Sequence, residues 1–315
     1  MSDVRPIKNK LVFLVGFPRS GTTYLQSLLG TQNGIVSLPE SHFFGSVSAK
    51  AKIEGANLLD TDSFFRALNQ IVSMMKHNFS EDEIKCLKQK AESNILTKDL
   101  LFCSLLESYF SRNQVQLADS DLILEKTPDH VRKIYEIESL FPEAKFICIT
   151  RHPVDAINSF YEKLVKYRQP YQKLAAQWLQ SSVIVEQFSK DYPNKIIAIK
   201  YEDLIADNVN VLEKICGFLA IKLEKEKLKN FRIAAAKYIL PTENWKLSNT
   251  AKSYRKSINK IPLLERVRIQ HKLTQEMKRL EYPIKHKALV RLYQSVFKPY
   301  LRVRVLLAKM AKVLQ

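Results

Sequence analysis

Glycine is scarce, at 7 of 315 residues, tryptophan occurs twice, and cysteine four times. So few glycines, with 12 prolines, exclude collagen-like repeats and glycine-rich linkers and leave few flexible joints, so one large domain with appendages is expected. Cys86, Cys103, Cys148 and Cys216 stand 17, 45 and 68 positions apart. Those spacings fit neither a metal knuckle nor a compact disulfide framework, and the thiols read as reduced and buried. No apolar run is long enough for a membrane span. The first one, Leu11–Gly16, is six residues long and stops before Pro18 and Arg19, too short for the core of a signal peptide, so a cytoplasmic enzyme is expected. Internal repeats and low-complexity tracts are absent.

Acids are missing from the end of the chain. Lys285–Gln315 holds eight Lys/Arg and no Asp or Glu, and from Lys246 onward there are 18 cations against three acids, so nearly all of the formal +18 lies there. A charge confined in this way argues against general nucleic-acid binding and for a basic lobe facing an anionic cofactor, an acidic substrate or a membrane surface. After Pro299, the residues Val303, Leu306, Leu307, Met310 and Leu314 share one helical face. Residues 285–315 therefore read as a basic amphipathic tail on a body spanning 1–284. Two uses stay open: a terminal helix packed on the body, and peripheral contact with a membrane or partner.

What is present, 46% hydrophobic and 26% charged residues, suits a folded globular chain. Short apolar runs rich in β-branched residues, Leu11–Val15, Leu122–Leu124, Phe146–Thr150 and Ile196–Ile199, read as strands covered on both faces. Ile35–Leu38 reads equally as a strand or a turn. Helical patterns at Thr22–Leu29, Asp62–Met75, Glu81–Asn94, Val154–Val165 and Ala175–Lys190 alternate with these strands. The expected fold is α/β, a three-layer sandwich around a central parallel sheet.

The first strand leads through Gly16-Phe-Pro-Arg-Ser-Gly21 into a helix beginning Thr22-Thr23, so backbone N–H groups and a helix N-terminus can converge on an anion. This is a P-loop-like nucleotide-binding architecture with one departure: Thr22 occupies the position of the Walker lysine, and the cation sits at Arg19. Without that lysine, ATP hydrolysis is the weaker reading.

GFPRSGTTYL resembles the 5′-phosphosulfate loop of sulfotransferases that use 3′-phosphoadenosine 5′-phosphosulfate (PAPS) and release adenosine 3′,5′-bisphosphate (PAP). The resemblance implies that Arg19, Ser20, Gly21, Thr22 and Thr23 contact the 5′-phosphosulfate. In Thr150–Tyr161, Arg151 closes a strand and Ser159 follows about two helical turns later, similar to the element with which that family grips the cofactor's 3′-phosphate. LPESHFFG resembles the catalytic-glutamate segment of heparan-type sulfotransferases, implying Glu40 as general base with His42 as the rival. An aromatic wall beside a carboxylate also raises its proton affinity. LILEKTPDHV resembles the EKTP element of carbohydrate sulfotransferases, implying that Lys126 approaches the sulfuryl group; Lys126 and Arg19 would then join Glu40 in catalysis. His42, Phe43 and His130 are expected on the acceptor side. Tyr201, in IKYEDL, and Arg255 and Lys256, in a basic segment similar to the C-terminal lobe of bacterial members, are expected cofactor contacts.

The resemblance thus implies in-line sulfuryl transfer to a hydroxyl of a carbohydrate, glycolipid, lipid or small metabolite, with no metal called for. Two other readings remain at this point: a P-loop kinase or NTPase, and a basic membrane- or nucleic-acid-binding protein without catalysis.

Overall fold

The computed structural model describes residues 5–48, 59–75, 79–163, 169–236 and 261–297. Five strands form one all-parallel sheet: β1 Leu11–Val15, β2 Ile35–Ser37, β3 Leu122–Lys126, β4 Lys145–Thr150 and β5 Ile196–Lys200, in the order β2-β3-β1-β4-β5. β1 is central because all five of its residues are apolar, and all are buried. It aligns Leu14 with Lys126 of β3 and Val15 with Cys148 of β4. The ambiguous segment at Ile35 is an edge strand. Its β-branched Ile35 and Val36 pair with β3, and the ladder extends on either side through Leu122 N–H to Gly34 O and Leu38 N–H to Leu124 O.

The principal helices are α1 Thr22–Leu29, α2 Thr61–Met75, α3 Glu81–Glu92, α4 Lys98–Arg112, α5 Ile134–Leu140, α6 Pro153–Lys163, α7 Tyr171–Asp191, α8 Tyr201–Ala206, α9 Asn208–Leu219, α10 Phe231–Ala236, α11 Leu263–Lys272, α12 Thr274–Arg279 and α13 Lys287–Leu292. Alternation along β1 sends Leu11, Phe13 and Val15 to one face of the sheet and Val12 and Leu14 to the other. All five are buried, so helices cover both faces and the expected three-layer α/β arrangement is realised. Phe13 anchors the first face, with ring centroids 5.7 Å from Phe146 and 6.2 Å from each of Phe44, Phe102 and Phe141.

The chain divides into two compact units, 1–150 with 184–250 and 151–183 with 251–315. The first holds the whole sheet. In the second, Trp178 Nε1 donates to the Arg151 carbonyl at 3.0 Å, Ser182 and Arg279 both bind Glu276, and the ring of His152 meets that of Tyr282 at 5.6 Å. α13 falls in this second unit, while Arg255, Lys256 and tail residues 298–315 lie outside the described residues. Among the described residues no helix is long and apolar enough to cross a membrane.

Candidate active site

The carboxyl ends of β1 and β3 and the residues following β2 supply the site. β1 runs into Gly16, whose φ of +151° and position beside β4 admit no side chain: a Cβ there would lie 2.3 Å from the Ile149 carbonyl oxygen. Its N–H donates to the Pro128 carbonyl at 3.1 Å, which ties the start of the loop to the residues after β3. Arg19 takes φ +72°, a conformation that costs a non-glycine residue about 1–3 kcal/mol and tends to mark functional loops. Ser20 is fully buried, and its Oγ has no hydrogen-bond partner among the described residues. Gly21, at φ +101°, forms the N-cap of α1, and no side chain caps that helix. The ring of Tyr201 lies where a Cβ on Gly21 would be. Among the described residues the loop therefore offers uncapped helix-terminal N–H groups and an orphaned buried hydroxyl, which together fit a phosphate or sulfate group.

Lys126, the last residue of β3, joins this loop to Glu40. Its Nζ donates to Thr23 Oγ1 at 3.4 Å and forms an ion pair with the Glu40 carboxylate, whose other oxygen lies 3.2 Å from His42 Nε2. The Lys126 side chain is 3% exposed and that of Glu40 17%, so the pair is screened from water on most sides and its Coulomb attraction is stronger than at a surface. The residues ahead of Glu40 are fixed from α1, where Gln26 Nε2 donates to Ser37 Oγ at 3.0 Å and to Leu38 O at 2.7 Å. His42, at φ +52°, precedes a π-helical turn over Phe43–Val47.

Two residues expected on the acceptor side lie in the core. Phe43 and His130 are both fully buried. Phe43 packs on Phe44 and Phe102 in the aromatic core, and His130 spends its ring nitrogens on Glu125 and the Phe44 N–H. Core burial of the aromatic pair anchors this segment. The Lys126 ammonium and the His42 imidazole stand beside Glu40. Tyr201, the first residue of α8, is buried against Gly21.

Arg151 directly follows β4, is 6% exposed, and belongs to the second unit together with Ser159, which lies in α6. Nearby, burial pushes the carboxyl of Asp155 up, against the downward pull of Arg151 and Lys285. The first unit thus brings together residues 16–23, Glu40, His42, Lys126 and Tyr201. Sequence reasoning missed Ser41 and Glu125, which hydrogen-bond beneath this group. A carboxylate and a lysine adjacent on one buried strand was the available signal, since they must face opposite ways.

Residues 12–225 match the sulfotransferase family. The chain belongs to that family. A sulfotransferase domain from the Synechococcus PCC 7002 olefin synthase superposes with a TM-score of 0.57 at 21% identity, covering 84% of this chain and 94% of that one. A sulfotransferase domain from the curacin biosynthetic pathway gives 0.55 at 25% identity, covering 87% and 98%. An uncharacterized protein of Aquifex aeolicus (strain VF5) is 21% identical over 228 residues, which are 70% of this chain and 27% of that protein, so the chain spans about a quarter of that relative's length. Family membership and the sulfotransferase fold explain why a phosphate loop lacking the Walker lysine sits on this sheet.

Proposed function

We propose that this chain is a PAPS-dependent sulfotransferase acting on a hydroxyl acceptor, with Glu40 as general base. The observation that carries this reading is the position of Lys126 Nζ, bonded at once to Glu40 and to Thr23 of the phosphate loop. It sets a proton acceptor beside an anion cradle with a cation between them. The orphaned Ser20 hydroxyl fits the 5′-phosphosulfate, with Arg19, Thr22 and Thr23 as further holders. When bound, PAPS supplies an activated sulfuryl group. Glu40 holds and then removes the acceptor's hydroxyl proton, and His42 orients the carboxylate. Lys126 and Arg19 place positive charge where negative charge develops, which favours the transition state over the ground state.

The missing Walker lysine counts against a kinase or NTPase. A carbohydrate, glycolipid, lipid or small-metabolite hydroxyl all suit the proposal. Incubating cell extracts with PAPS and the enzyme, then searching by mass spectrometry for added sulfate, identifies the acceptor. With that acceptor, Glu40→Gln lowers kcat by ~10²–10⁴ and leaves PAP affinity nearly intact. Unchanged turnover removes Glu40 from the role of base.

A further inference from the structure

Beneath the Lys126–Glu40 pair lies a second carboxylate that the chemistry above does not use. Glu125 is fully buried at the end of β3, and strand alternation turns it away from Lys126. Its Oε1 accepts from Ser41 N–H at 3.1 Å, Ser41 Oγ at 2.7 Å and Thr127 Oγ1 at 2.6 Å, and its Oε2 lies 3.0 Å from His130 Nδ1. The three side chains around it pass the order onward. Thr127 Oγ1 accepts from His42 N–H at 3.2 Å, Ser41 Oγ from Phe43 N–H at 3.3 Å, and His130 Nε2 from Phe44 N–H at 3.2 Å. Four consecutive backbone amides immediately after Glu40 are therefore taken up by a network centred on one carboxylate.

The donor directions follow from chemistry. A backbone N–H can only donate, so His130 Nε2 carries a lone pair and Nδ1 carries the proton aimed at Glu125. Likewise the Ser41 and Thr127 hydroxyls each spend their single proton on Glu125 and turn a lone pair to the main chain. An ionised carboxylate, which only accepts, is the group that satisfies all of these donors together.

Resting on the sulfotransferase reading, the geometry points to Glu125 as a positioning residue: through Ser41, Thr127 and His130 it locks residues 41–44 against β3, and so fixes where Glu40 stands relative to Lys126 and the phosphate loop. Burial pushes the Glu125 carboxyl up, while the hydrogen bonds from His130, Thr127 and Ser41 pull it down, and the group lies below its usual range. A carboxylate so tied keeps its charge at neutral pH, and the network keeps its polarity there. Positioning errors of about 1 Å at a reacting group cost on the order of 10²-fold in rate, so a clamp of this kind acts on turnover without touching a ligand.

The test uses the full chain, first without ligand. Amide hydrogen exchange at residues 41–44 is compared with that at Phe13 and Leu14 of β1 in the wild type, Thr127→Val and Thr127→Ser. Thr127→Val is expected to lose about tenfold or more of the protection at 41–44 while β1 keeps its own, and Thr127→Ser, which restores the hydroxyl, is expected to recover it. The imidazole 15N signals of His130 should report the Nδ1-protonated form in the wild type. With radiolabelled PAPS and a cell extract as acceptor pool, Thr127→Val should lower the maximal rate about 10²-fold and leave the KM for PAPS within about threefold, with recovery in Thr127→Ser. Protection lost equally in β1, an unchanged maximal rate, or no rescue by serine overturns the positioning role. Wild-type protein that transfers no label overturns the sulfotransferase reading instead, and the exchange data then decide separately whether the clamp exists.

Discussion

Replacing Gly16 by alanine isolates the requirement that no side chain stand where β1 enters the phosphate loop. Two costs combine there. The backbone sits at φ +151°, a conformation worth about 1–3 kcal/mol against an L-residue. The added Cβ would also lie 2.3 Å from the Ile149 carbonyl oxygen, well inside the 3.0 Å below which real Cβ contacts are essentially never seen. That oxygen belongs to a backbone held in the ladder between β4 and β5, so it yields less readily than a side chain, and overpacking of this sort costs a further 1–3 kcal/mol or so. A total of about 2–6 kcal/mol is a large share of a domain's stability. Gly34 supplies the control. It has φ +79°, but a Cβ there meets nothing closer than 3.9 Å, so Gly34→Ala carries only the backbone cost of about 1–2 kcal/mol. Urea denaturation of both variants, followed by circular dichroism, should give Gly16→Ala the clearly lower midpoint, and calorimetry should find its affinity for PAP lost while that of Gly34→Ala is kept. Equal midpoints would refute the close-approach argument, and an intact PAP affinity in Gly16→Ala would separate this turn from the anion site.

Arg151→Ala is expected to weaken PAP binding by about 1.5–3 kcal/mol, the worth of a hydrogen bond to a charged group, with little change in the maximal rate once PAPS saturates; equal affinity by calorimetry takes Arg151 out of the site. Acid should destabilise the first unit in part through Glu125. Because its folded pKa is depressed below the usual 4.5, its stabilising contribution is complete above about pH 4.5 and is lost as the pH falls through the folded value. The stability gap between wild type and Glu125→Gln in urea titrations should therefore narrow as the pH drops below about 4.5, and a gap independent of pH contradicts the assigned ionisation.

The parallel strands were legible because each is a short run of β-branched and aliphatic residues, a pattern that burial on both faces imposes directly. α4 was not. Its sequence, KDLLFCSLLESYFSR, buries Leu101, Phe102, Cys103, Leu105, Leu106 and Phe110 nearly all the way round, so no amphipathic period was there to find. The phosphate loop could be read from local spacing, since its two glycines and the helix start after them fall within Gly16–Thr23. Glu40 and Lys126 are 86 positions apart, and nothing local to either records that they meet.

The two phenylalanines after Glu40 mark the same limit more sharply. Aromatic residues beside a carboxylate are compatible with a wall around it or with an anchor beneath it, and only the topology chooses. β3 lies beside β1, so Phe13 is within reach of both Phe44 and His130. The aromatic pair is drawn into the core, and the polar groups of the same turn must then be satisfied underneath. Glu125 satisfies them because β3 ends with two ionisable residues in succession, and a strand must send neighbours to opposite sides. One terminus of one strand thereby furnishes a cation paired with Glu40 on one side and an acceptor for the supporting turn on the other. Shifting β3 by a single residue would exchange the two, burying the ammonium among N–H donors, which is why the register of β3 against β1 matters as much to the site as the identity of Lys126.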